Sequence, residues 1–195
     1  MNARRAKTDR MILTAARELL ADGGVHDLTV EGVAERAGVA KTTVYRRYRS
    51  KVEIALAVLI DMVRDMAAIP ESGDAHAELV VFLTRAADIL RSTLMGRVMQ
   101  GLVSDLATDP ELAQAFREHV VSLRIAELRR IVERGIARGQ LRPETDAVLL
   151  NDLLFGPVYY RLFLSGGSLD SAFAERVVSI VLPAFAARGE ARTAA

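Results

Sequence analysis

Residues 41 to 51 carry five cationic side chains and no acid within eleven positions. Duplex DNA presents one phosphate charge about every 1.7 Å, so a cationic run of this density is suited to bind its backbone. Hydroxyl-bearing side chains lie between the cations, and such hydroxyls can donate to base edges in the major groove. The run therefore predicts a DNA-reading surface, and its cations are Lys41, Arg46, Arg47, Arg49 and Lys51.

The order of these residues along one short helix separates base contacts from phosphate contacts. If Val44 faces the core, a step of about 100° per residue directs Thr42 and Arg46 outward. The first residues of a recognition helix reach base edges, whereas residues near its end meet the phosphates of the groove wall. We therefore expect Lys41, Thr42 and Thr43 to contact bases. Phosphate contacts are expected from Arg46, Arg47, Arg49 and Lys51.

Capping and turn signals predict a set of short helices that position this surface. Thr29 is a natural N-cap for a second helix, and the exposed N–H groups at that helix end are a candidate phosphate site. Gly38 suits a reversal that requires positive φ, after which the recognition helix covers about residues 40–48. Ser50 and Glu53 have the spacing of a capping box, which predicts that a long fourth helix begins there.

Helical periodicity continues along almost the whole chain of 195 residues. Alternating β-branched runs are few and the hairpin dipeptide Asn-Gly is absent, so the sequence predicts an all-α fold. The fourth helix has an apolar stripe that extends to Met66. We expect about nine helices, over approximately residues 8–21, 30–37, 40–48, 50–66, 75–94, 96–106, 110–137, 144–164 and 169–187.

Charge and turn-forming residues divide the chain into two parts. Residues 1–51 carry 11 Lys and Arg against 6 Asp and Glu, whereas residues 52–195 carry 15 against 19. A basic end attached to a mildly acidic body is typical of a protein that binds nucleic acid through that end. Residues 69–74 have turn chemistry without helical periodicity and form a linker. We predict a helix-turn-helix DNA-binding domain over residues 1–51 and a separate helical domain over residues 52–195.

Residues 28–56 combine Gly38-Val39, Thr43-Val44-Tyr45, Tyr48 and Lys51. In this combination they resemble the DNA-binding region of the TetR family of bacterial transcriptional regulators. That family has a Gly-Val turn, a Thr-aliphatic-Tyr sequence in the recognition helix, an aromatic residue three positions later and a Lys at the start of the long helix. The resemblance implies base contacts by Lys41, Thr42, Thr43 and Tyr45, and phosphate contacts by Thr29, Arg46, Arg47 and Lys51.

Two positions depart from the family pattern. Ala40 stands where the family often has a small hydroxylated residue, so the cap of the recognition helix is weaker here or is supplied by another group. Tyr48 replaces the more usual Phe, and we expect its added hydroxyl to contact a phosphate. A later segment, residues 139–161, also resembles the C-terminal ligand-binding and dimerisation region of one TetR subgroup. The resemblance implies that residues 52–195 form a helical ligand-binding and dimerisation domain.

The last two predicted helices carry more apolar surface than one subunit needs. Pairing them with a twofold mate gives a four-helix interface, which the resemblance also implies, whereas the alternative is that they fill only the subunit's own core. The interface candidates are Leu149, Leu153, Phe163, Phe173, Val177 and Val181. The candidates for a ligand pocket, all of types that more often form plain core, are Phe82, Met95, Met99, Phe116, Phe155 and Tyr159.

The geometry of such a dimer determines the symmetry expected of its DNA site. Two recognition helices about 34 to 36 Å apart enter successive major grooves, so the operator should be pseudo-palindromic. We expect an effector-responsive homodimeric regulator, most simply a repressor that a small apolar or amphipathic ligand releases from DNA. Repression is carried over from the resemblance, and activation by the same fold stays open. A helical interaction module without operator binding is the alternative from another class, but it needs no cationic recognition helix.

The sequence contains no pattern typical of catalysis, of a metal site or of a cofactor site. It has no cysteine, and His26, His76 and His119 lack metal-ligand spacing. A Gly-x-Ser-x-Gly elbow is also absent. No apolar segment follows the basic N-terminal residues, and no run approaches the ~18 uncharged apolar residues of a membrane span. We expect a cytoplasmic protein that is not an enzyme and has no cofactor, metal or membrane partner.

Overall fold

The structure is a computed structural model that describes residues 3–64, 66 and 68–187. The predicted all-α fold is confirmed, since the regular structure in these ranges is helical apart from one isolated bridge between Leu141 and Ala186. Two π-helical turns, Arg117–Val121 and Arg161–Ser165, and a 3₁₀ turn, Leu182–Ala184, accompany the α-helices. The α-helices are α1 (Ala3–Asp27), α2 (Val30–Arg36), α3 (Lys41–Tyr45), α4 (Lys51–Arg64), α5 (Ala75–Ser92), α6 (Leu94–Thr108), α7 (Pro110–Phe116), α8 (Ser122–Ala137), α9 (Ala147–Tyr160) and α10 (Ser171–Val181).

Several helix ends differ from those predicted. The long helix expected over residues 110–137 consists of α7, the first π-helical turn and α8 in direct succession. The recognition helix α3 is shorter than predicted, because it ends at Tyr45. The stripe predicted to reach Met66 also ends early, since α4 ends at Arg64 and Met66 is 40% exposed. The Met66 N–H donates to the Val63 carbonyl three residues back at 3.2 Å, which tightens the end of the helix.

The chain forms two compact units, neither of which is continuous in sequence. The first unit contains α1 to α4, α6, α7 and the π-helical turn that follows α7. The second unit contains α5, α8, α9 and α10. The functional division predicted between residues 51 and 52 stays a prediction, because compactness does not test which residues bind DNA or ligand.

The core of the first unit is formed where α1, α4 and α6 pack together. Ile12, Ala16 and Leu20 recur every four residues on one face of α1 and are fully buried. Gly24 has a φ of 71° and interrupts α1 near its end, beyond the predicted end at about residue 21. Because α2 packs against α1 and α3 packs against α2, this core determines where the recognition helix lies within the unit.

A buried ion cluster fastens the predicted linker into the second unit. Glu78 in α5 is 1% exposed and accepts hydrogen bonds from Arg134 Nε and Nη2 at 3.0 and 2.6 Å. The N–H groups of Ser72 and Gly73 donate to its other oxygen at 3.1 and 3.2 Å. Burial raises the pKa of Glu78, but the hydrogen bonds from Arg134 and the two N–H groups outweigh it and hold the pKa below its usual value. Residues 72 and 73 are thereby tied to α5 and α8.

One apolar segment has the length of a membrane span. Ala147–Ser165 comprises α9 and the π-helical turn after it, and an 18-residue stretch within it has a mean hydropathy of 1.2, with 33% of that stretch buried inside the protein. It also carries Asp152 and Arg161. A single segment of this kind is weak evidence for a span, because apolar helices that pack in a soluble protein have the same length and composition.

Candidate nucleic-acid interface

The turn between α2 and α3 is fixed by backbone hydrogen bonds. The Gly38 N–H donates to the Glu35 carbonyl at 3.1 Å, and the Val39 N–H donates to the Ala34 carbonyl at 3.0 Å. These two bonds form a Schellman motif, which requires a left-handed residue after the helix end. Gly38 supplies it with a φ of 65°. The predicted reversal at Gly38 is therefore confirmed.

The outward face of α3 is exposed and rich in donors, as the periodicity predicted. Val44 is fully buried and Tyr45 is 49% exposed. Lys41, Thr42 and Arg46 are also exposed. Within the described ranges Arg46 forms no ion pair, so its guanidinium is free to meet a phosphate. The orientation of the recognition helix is confirmed, and its contacts with DNA stay predictions.

Glu31 in α2 is a functional candidate that the sequence analysis missed. Its Oε1 accepts a hydrogen bond from the Tyr45 hydroxyl at 3.2 Å, and Lys41 Nζ lies 3.8 Å from the same atom. The Glu31 charge raises the pKa of the Tyr45 phenol, so the phenol keeps its proton and can donate. One carboxylate thus engages two predicted base-contacting residues. An acid in the first turn is ordinarily explained by the helix dipole, so the sequence offered no other signal.

Arg47 and Lys51 are occupied inside the first unit. The Arg47 side chain is only 15% exposed, its Nε pairs with the Asp9 carboxylate, and its Nη1 donates to the Thr43 carbonyl at 3.0 Å. Lys51 Nζ donates to the His26 carbonyl at 2.6 Å. Both cations were predicted to contact phosphates. A phosphate contact by Arg47 stays a prediction and has to compete with Asp9, whose pairing with Arg47 ties α1 to the end of the recognition helix. A phosphate contact by Lys51 stays a prediction and has to compete with the His26 carbonyl.

The remaining predicted phosphate contacts differ in how available they are. Thr29 Oγ1 accepts a hydrogen bond from the Gly32 N–H at 3.0 Å, which confirms that Thr29 caps α2. Tyr48 is half-buried, and this burial is the main cause that raises the pKa of its phenol. Arg49 is 80% exposed, although its Nη1 lies 2.9 Å from Glu111 Oε2. Contacts of these three residues with DNA stay predictions.

Helix capping next to the interface follows the sequence predictions. Ala40 is the N-cap of α3 and makes no side-chain hydrogen bond to it. Ser50 Oγ accepts from the Glu53 N–H at 3.2 Å, and Glu53 Oε2 accepts from the Arg49 N–H at 2.7 Å. The predicted capping box at α4 is therefore present, although the Glu53 carboxylate accepts from the N–H of Arg49, the residue before the cap Ser50.

The predicted pocket residues fall into two groups. In the second unit Phe82, Phe155 and Tyr159 form a row of rings, with centroids 5.8 Å and 6.0 Å apart. The first unit contains the other three candidates, of which the methionines are buried and the phenylalanine is half-buried: Met95, Met99 and Phe116. Ligand contact by any of the six stays a prediction.

The predicted dimer residues also separate into exposed and buried sets. Leu149, Leu153 and Phe163 are 50%, 41% and 37% exposed. Phe173 and Val177 are only 4% and 8% exposed, because α10 packs against α9 within the unit. Their burial supports the alternative interpretation, that they fill the subunit's own core, and a place for these two residues at the interface stays a prediction. Val181 is half-buried, and its place at an interface stays a prediction.

Comparison with family models identifies the chain. Residues 12–58, which contain α2, the Gly38 turn and α3, match the model of bacterial regulatory proteins of the tetR family. Residues 69–181 match the model of the tetracyclin repressor-like C-terminal domain. The chain belongs to the TetR family. Members of this family are helix-turn-helix transcriptional regulators with a ligand-binding C-terminal domain, and they are typically repressors. The predicted family and function class are therefore confirmed.

Relatives extend the similarity over nearly the whole chain. The HTH-type transcriptional regulator YdeS of Bacillus subtilis is 30% identical over 171 residues, which cover 88% of this chain and 86% of that protein. The DNA-binding transcriptional repressor TetR of Mycobacteroides abscessus is 29% identical over 93% of this chain and 95% of that protein. This TetR-family chain is also similar to the crystal structure of the TetR family transcription regulator SCO0332, at 34% identity and a TM-score of 0.79 over 91% of this chain and 97% of that one.

The contacts of Arg47 with Asp9 and Thr43 lead to a prediction about stability in this TetR-family protein. Arg47→Ala removes the partner of Asp9 and one donor to Thr43, so we expect the free energy of unfolding to fall by about 1 to 3 kcal/mol. Arg46→Ala is the matched control, because Arg46 is exposed and its loss should leave stability unchanged. Urea unfolding of the two variants measures the difference. Equal stability of both variants would show that the Arg47 contacts hold nothing together.

Proposed function

We propose that this regulator binds a pseudo-palindromic operator as a homodimer and leaves it when a small amphipathic effector binds the second compact unit. The observation that carries the proposal is the exposed, donor-rich face of α3, on which Lys41, Thr42, Tyr45 and Arg46 project while Val44 is buried. A helix with this arrangement suits major-groove reading, in which its first residues meet base edges.

Roles on the DNA follow from position, chemistry and existing contacts. Lys41 can donate to guanine O6 or N7, and Thr42, Thr43 and Tyr45 can donate to base edges. Arg46 is the main phosphate contact in this proposal, because its side chain is exposed and forms no ion pair with a described residue. Thr29, Tyr48 and Lys51 are secondary phosphate contacts in this proposal. The sequence preference therefore comes from the start of α3 and the affinity from its end.

The apolar stripe along α9 supports the homodimer. Leu149, Leu153 and Tyr160 recur in α9 at intervals of four and seven residues, which keeps them on one face of the helix, and Leu164 follows in the π-helical turn after α9. They are 50%, 41%, 59% and 76% exposed in the single subunit. Isolated exposed apolar residues are ordinary, but a contiguous row marks an interaction surface. A twofold-related α9 is the matching occupant, because a twofold axis brings the same stripe of each subunit together.

Regulation requires that the effector prefer one conformation of the protein. A ligand can shift the equilibrium between DNA-competent and incompetent states only by its difference in affinity for the two. The proposed effector site lies among α5, α8 and α9, which belong to one unit, whereas α3 belongs to the other. The chain passes from one unit to the other near residues 66, 91 and 121. In this proposal, these three connections transmit the conformational change from the effector site to α3. In this proposal the protein regulates transcription without catalysing a reaction. It acts in the bacterial cytoplasm, where the operator lies.

Salt dependence separates the two kinds of DNA contact. Each phosphate contact contributes about 0.9 to the slope of log K against log salt, so Arg46→Ala should make the slope of the dimer shallower by about 1.8. Thr42→Ala is the matched control and should weaken binding to the preferred sequence with an unchanged slope. Fluorescence anisotropy with labelled operator DNA at several salt concentrations measures both. A slope unaffected by Arg46→Ala would contradict the proposed placement of α3, and a protein with no sequence preference would favour the interaction-module alternative.

A further inference from the structure

Arg124 in α8 is a cation that no acid neutralises within the described part of the chain. Its Nε donates to Asn151 Oδ1 at 3.0 Å, and its Nη1 donates to the Tyr159 hydroxyl at 2.6 Å. Its guanidinium carbon lies 3.9 Å from the centroid of the Phe155 ring. These partners are all neutral. A half-buried cation of this kind is partly desolvated without a counter-charge.

Among the described residues, the acids nearest to Arg124 in the chain and in its network, Glu127 and Asp152, form no ion pair with it. Glu127, one turn further along α8, accepts from the Ile69 N–H at 2.8 Å with one oxygen and from Arg130 Nη1 at 2.8 Å with the other. Asp152 accepts from Asn151 Nδ2 at 3.1 Å. Asn151 is itself 2% exposed, so its carbonyl oxygen is held in place toward Arg124. The arrangement fixes the guanidinium and leaves its charge uncompensated.

The guanidinium retains the donors that a carboxylate requires. Arginine has five N–H groups in a planar fork, and Asn151 and Tyr159 take one each. Three N–H groups therefore remain, two of them on Nη2. Arginine binds carboxylates through paired N–H groups of this fork, and such charge-assisted bonds are stronger than bonds between neutral groups. Stacking on Phe155 holds the plane of the fork and reduces the entropy lost on binding.

An aromatic row beside Arg124 supplies the apolar part of the site. Phe82 and Phe155 meet edge to face, and Tyr159 and Phe163 stack with centroids 5.9 Å apart. The row runs from the buried Phe82 to Phe163, which is 37% exposed. It therefore connects the cation to the surface along rings. Apolar walls with a few convergent polar groups are typical of ligand sites.

We propose that Arg124 binds the acid group of the effector, and that the effector is an organic monocarboxylate whose apolar body lies along the Phe82 to Phe163 row. This inference rests on the proposed function, because it names the ligand class of the same regulatory site. Arg124 then supplies the charge and the fork, Asn151 and Tyr159 hold the guanidinium, and the rings select an apolar body over a polar one. A neutral molecule of the same shape binds more weakly, because Arg124 then stays uncompensated.

Titration of the full chain with matched acids and amides tests this directly. The probes are 4-phenylbutyrate, decanoate and the primary amide of each, which has the same apolar body and no charge. Isothermal titration and thermal melting should show that the acids bind and raise the melting temperature, with at least about tenfold weaker binding of the amides. Equal binding of acid and amide, or no binding of either acid, would overturn the proposal.

Variants on α8 assign the effect to one residue. Arg124→Gln should weaken the acids at least about tenfold and leave the amides unchanged, and Arg124→Lys should retain part of the acid affinity because it keeps the charge without the fork. Arg129→Gln removes an exposed cation from the same helix and should change nothing. Wild-type acid affinity in Arg124→Gln would overturn the proposal, as would conversion of this variant to monomers, which would place Arg124 at the subunit interface. If Arg124→Gln fails to fold, the Arg124→Lys variant and the acid-amide comparison decide.

These binding measurements need no DNA, so their outcome is separate from that of the proposed function. If the acids bind through Arg124 and operator affinity does not change, the ligand site stands and the proposed regulation fails. If the protein shows no sequence-specific DNA binding, the proposed function fails whatever the acids do. If the acids bind through Arg124 and lower operator affinity, both are supported.

Discussion

Leu153→Arg should convert the protein to monomers and weaken operator binding at least about 100-fold. Leu153 is 41% exposed and lies in the middle of the α9 stripe, where a twofold axis would face it with the same stripe of a second subunit. An arginine there would place two unpaired like charges in an apolar interface, which costs several kcal/mol of association energy. A monomer contacts only one half-site, so it lacks the increase in affinity that a dimer obtains by binding two linked half-sites.

Val81→Arg is the control for that variant. Val81 lies in α5 of the same unit and is 44% exposed, so the substitution adds the same charge away from the stripe. Sedimentation and anisotropy with operator DNA should show a dimer of wild-type affinity for Val81→Arg. A Leu153→Arg protein that remains dimeric and binds DNA normally would rule out the α9 stripe as the interface.

Glu78→Gln should lower the free energy of unfolding by about 3 kcal/mol, the scale expected when one partner of a buried ion pair is removed. The glutamine keeps the shape of the side chain but leaves Arg134 without its closest counter-charge. It also weakens the bonds from Ser72 and Gly73 that hold the linker. Glu71→Gln is the matched control, because Glu71 faces the same arginine at 3.6 Å but is 65% exposed and should contribute little. Urea unfolding near neutral pH measures both.

The Glu78 effect should depend on pH with a defined sign. The pKa of Glu78 is lower in the folded protein than in the unfolded chain, so the unfolded state binds the proton more readily. The stabilisation is therefore complete above the unfolded pKa, about 4.3, and disappears as the pH falls through the folded value. The stability difference between wild type and Glu78→Gln should shrink below about pH 4. A difference that grows on acidification would contradict the ion-pair account.

Local signals explain why the DNA-binding part could be predicted in detail. Thr29, Gly38 and the Ser50 to Glu53 pair act on N–H and carbonyl groups within a few residues, and the structure has each of them in the expected role. The outward face of α3 also follows from one buried residue, Val44, and the helical step. In each case the cause lies within one or two turns of the chain.

The features that the sequence did not indicate are contacts that join distant parts of the chain. Arg47 pairs with Asp9, 38 residues away, and nothing in the basic run distinguishes it from the free Arg46. The packing of α6 against α1 and α4 is equally nonlocal, so local sequence patterns do not reveal that the two compact units are discontinuous in sequence.

The C-terminal residues show a second limit of sequence patterns. α9 is apolar on most of its surface, so periodicity identifies the helix without showing which face is core. Leu153 is therefore exposed while Phe173 of α10 is buried, although both were predicted at the interface. Arg124 gives no sequence signal at all, because its partners are a neutral amide, a phenol and a ring brought together only by folding.

Selection of bound sequences from a random DNA pool tests the central claim most directly, namely that two copies of α3 read successive major grooves. The account predicts an inverted repeat whose half-site centres lie about 10 to 10.5 base pairs apart, or a multiple of that spacing. It also predicts that Tyr45→Ala relaxes the preference at the same position of both half-sites while the protein stays dimeric. Enrichment of a single unrepeated site by the wild-type protein, or of no sequence at all, would contradict the account. Selection of the wild-type motif by Tyr45→Ala, with the same preference at every position, would also contradict it.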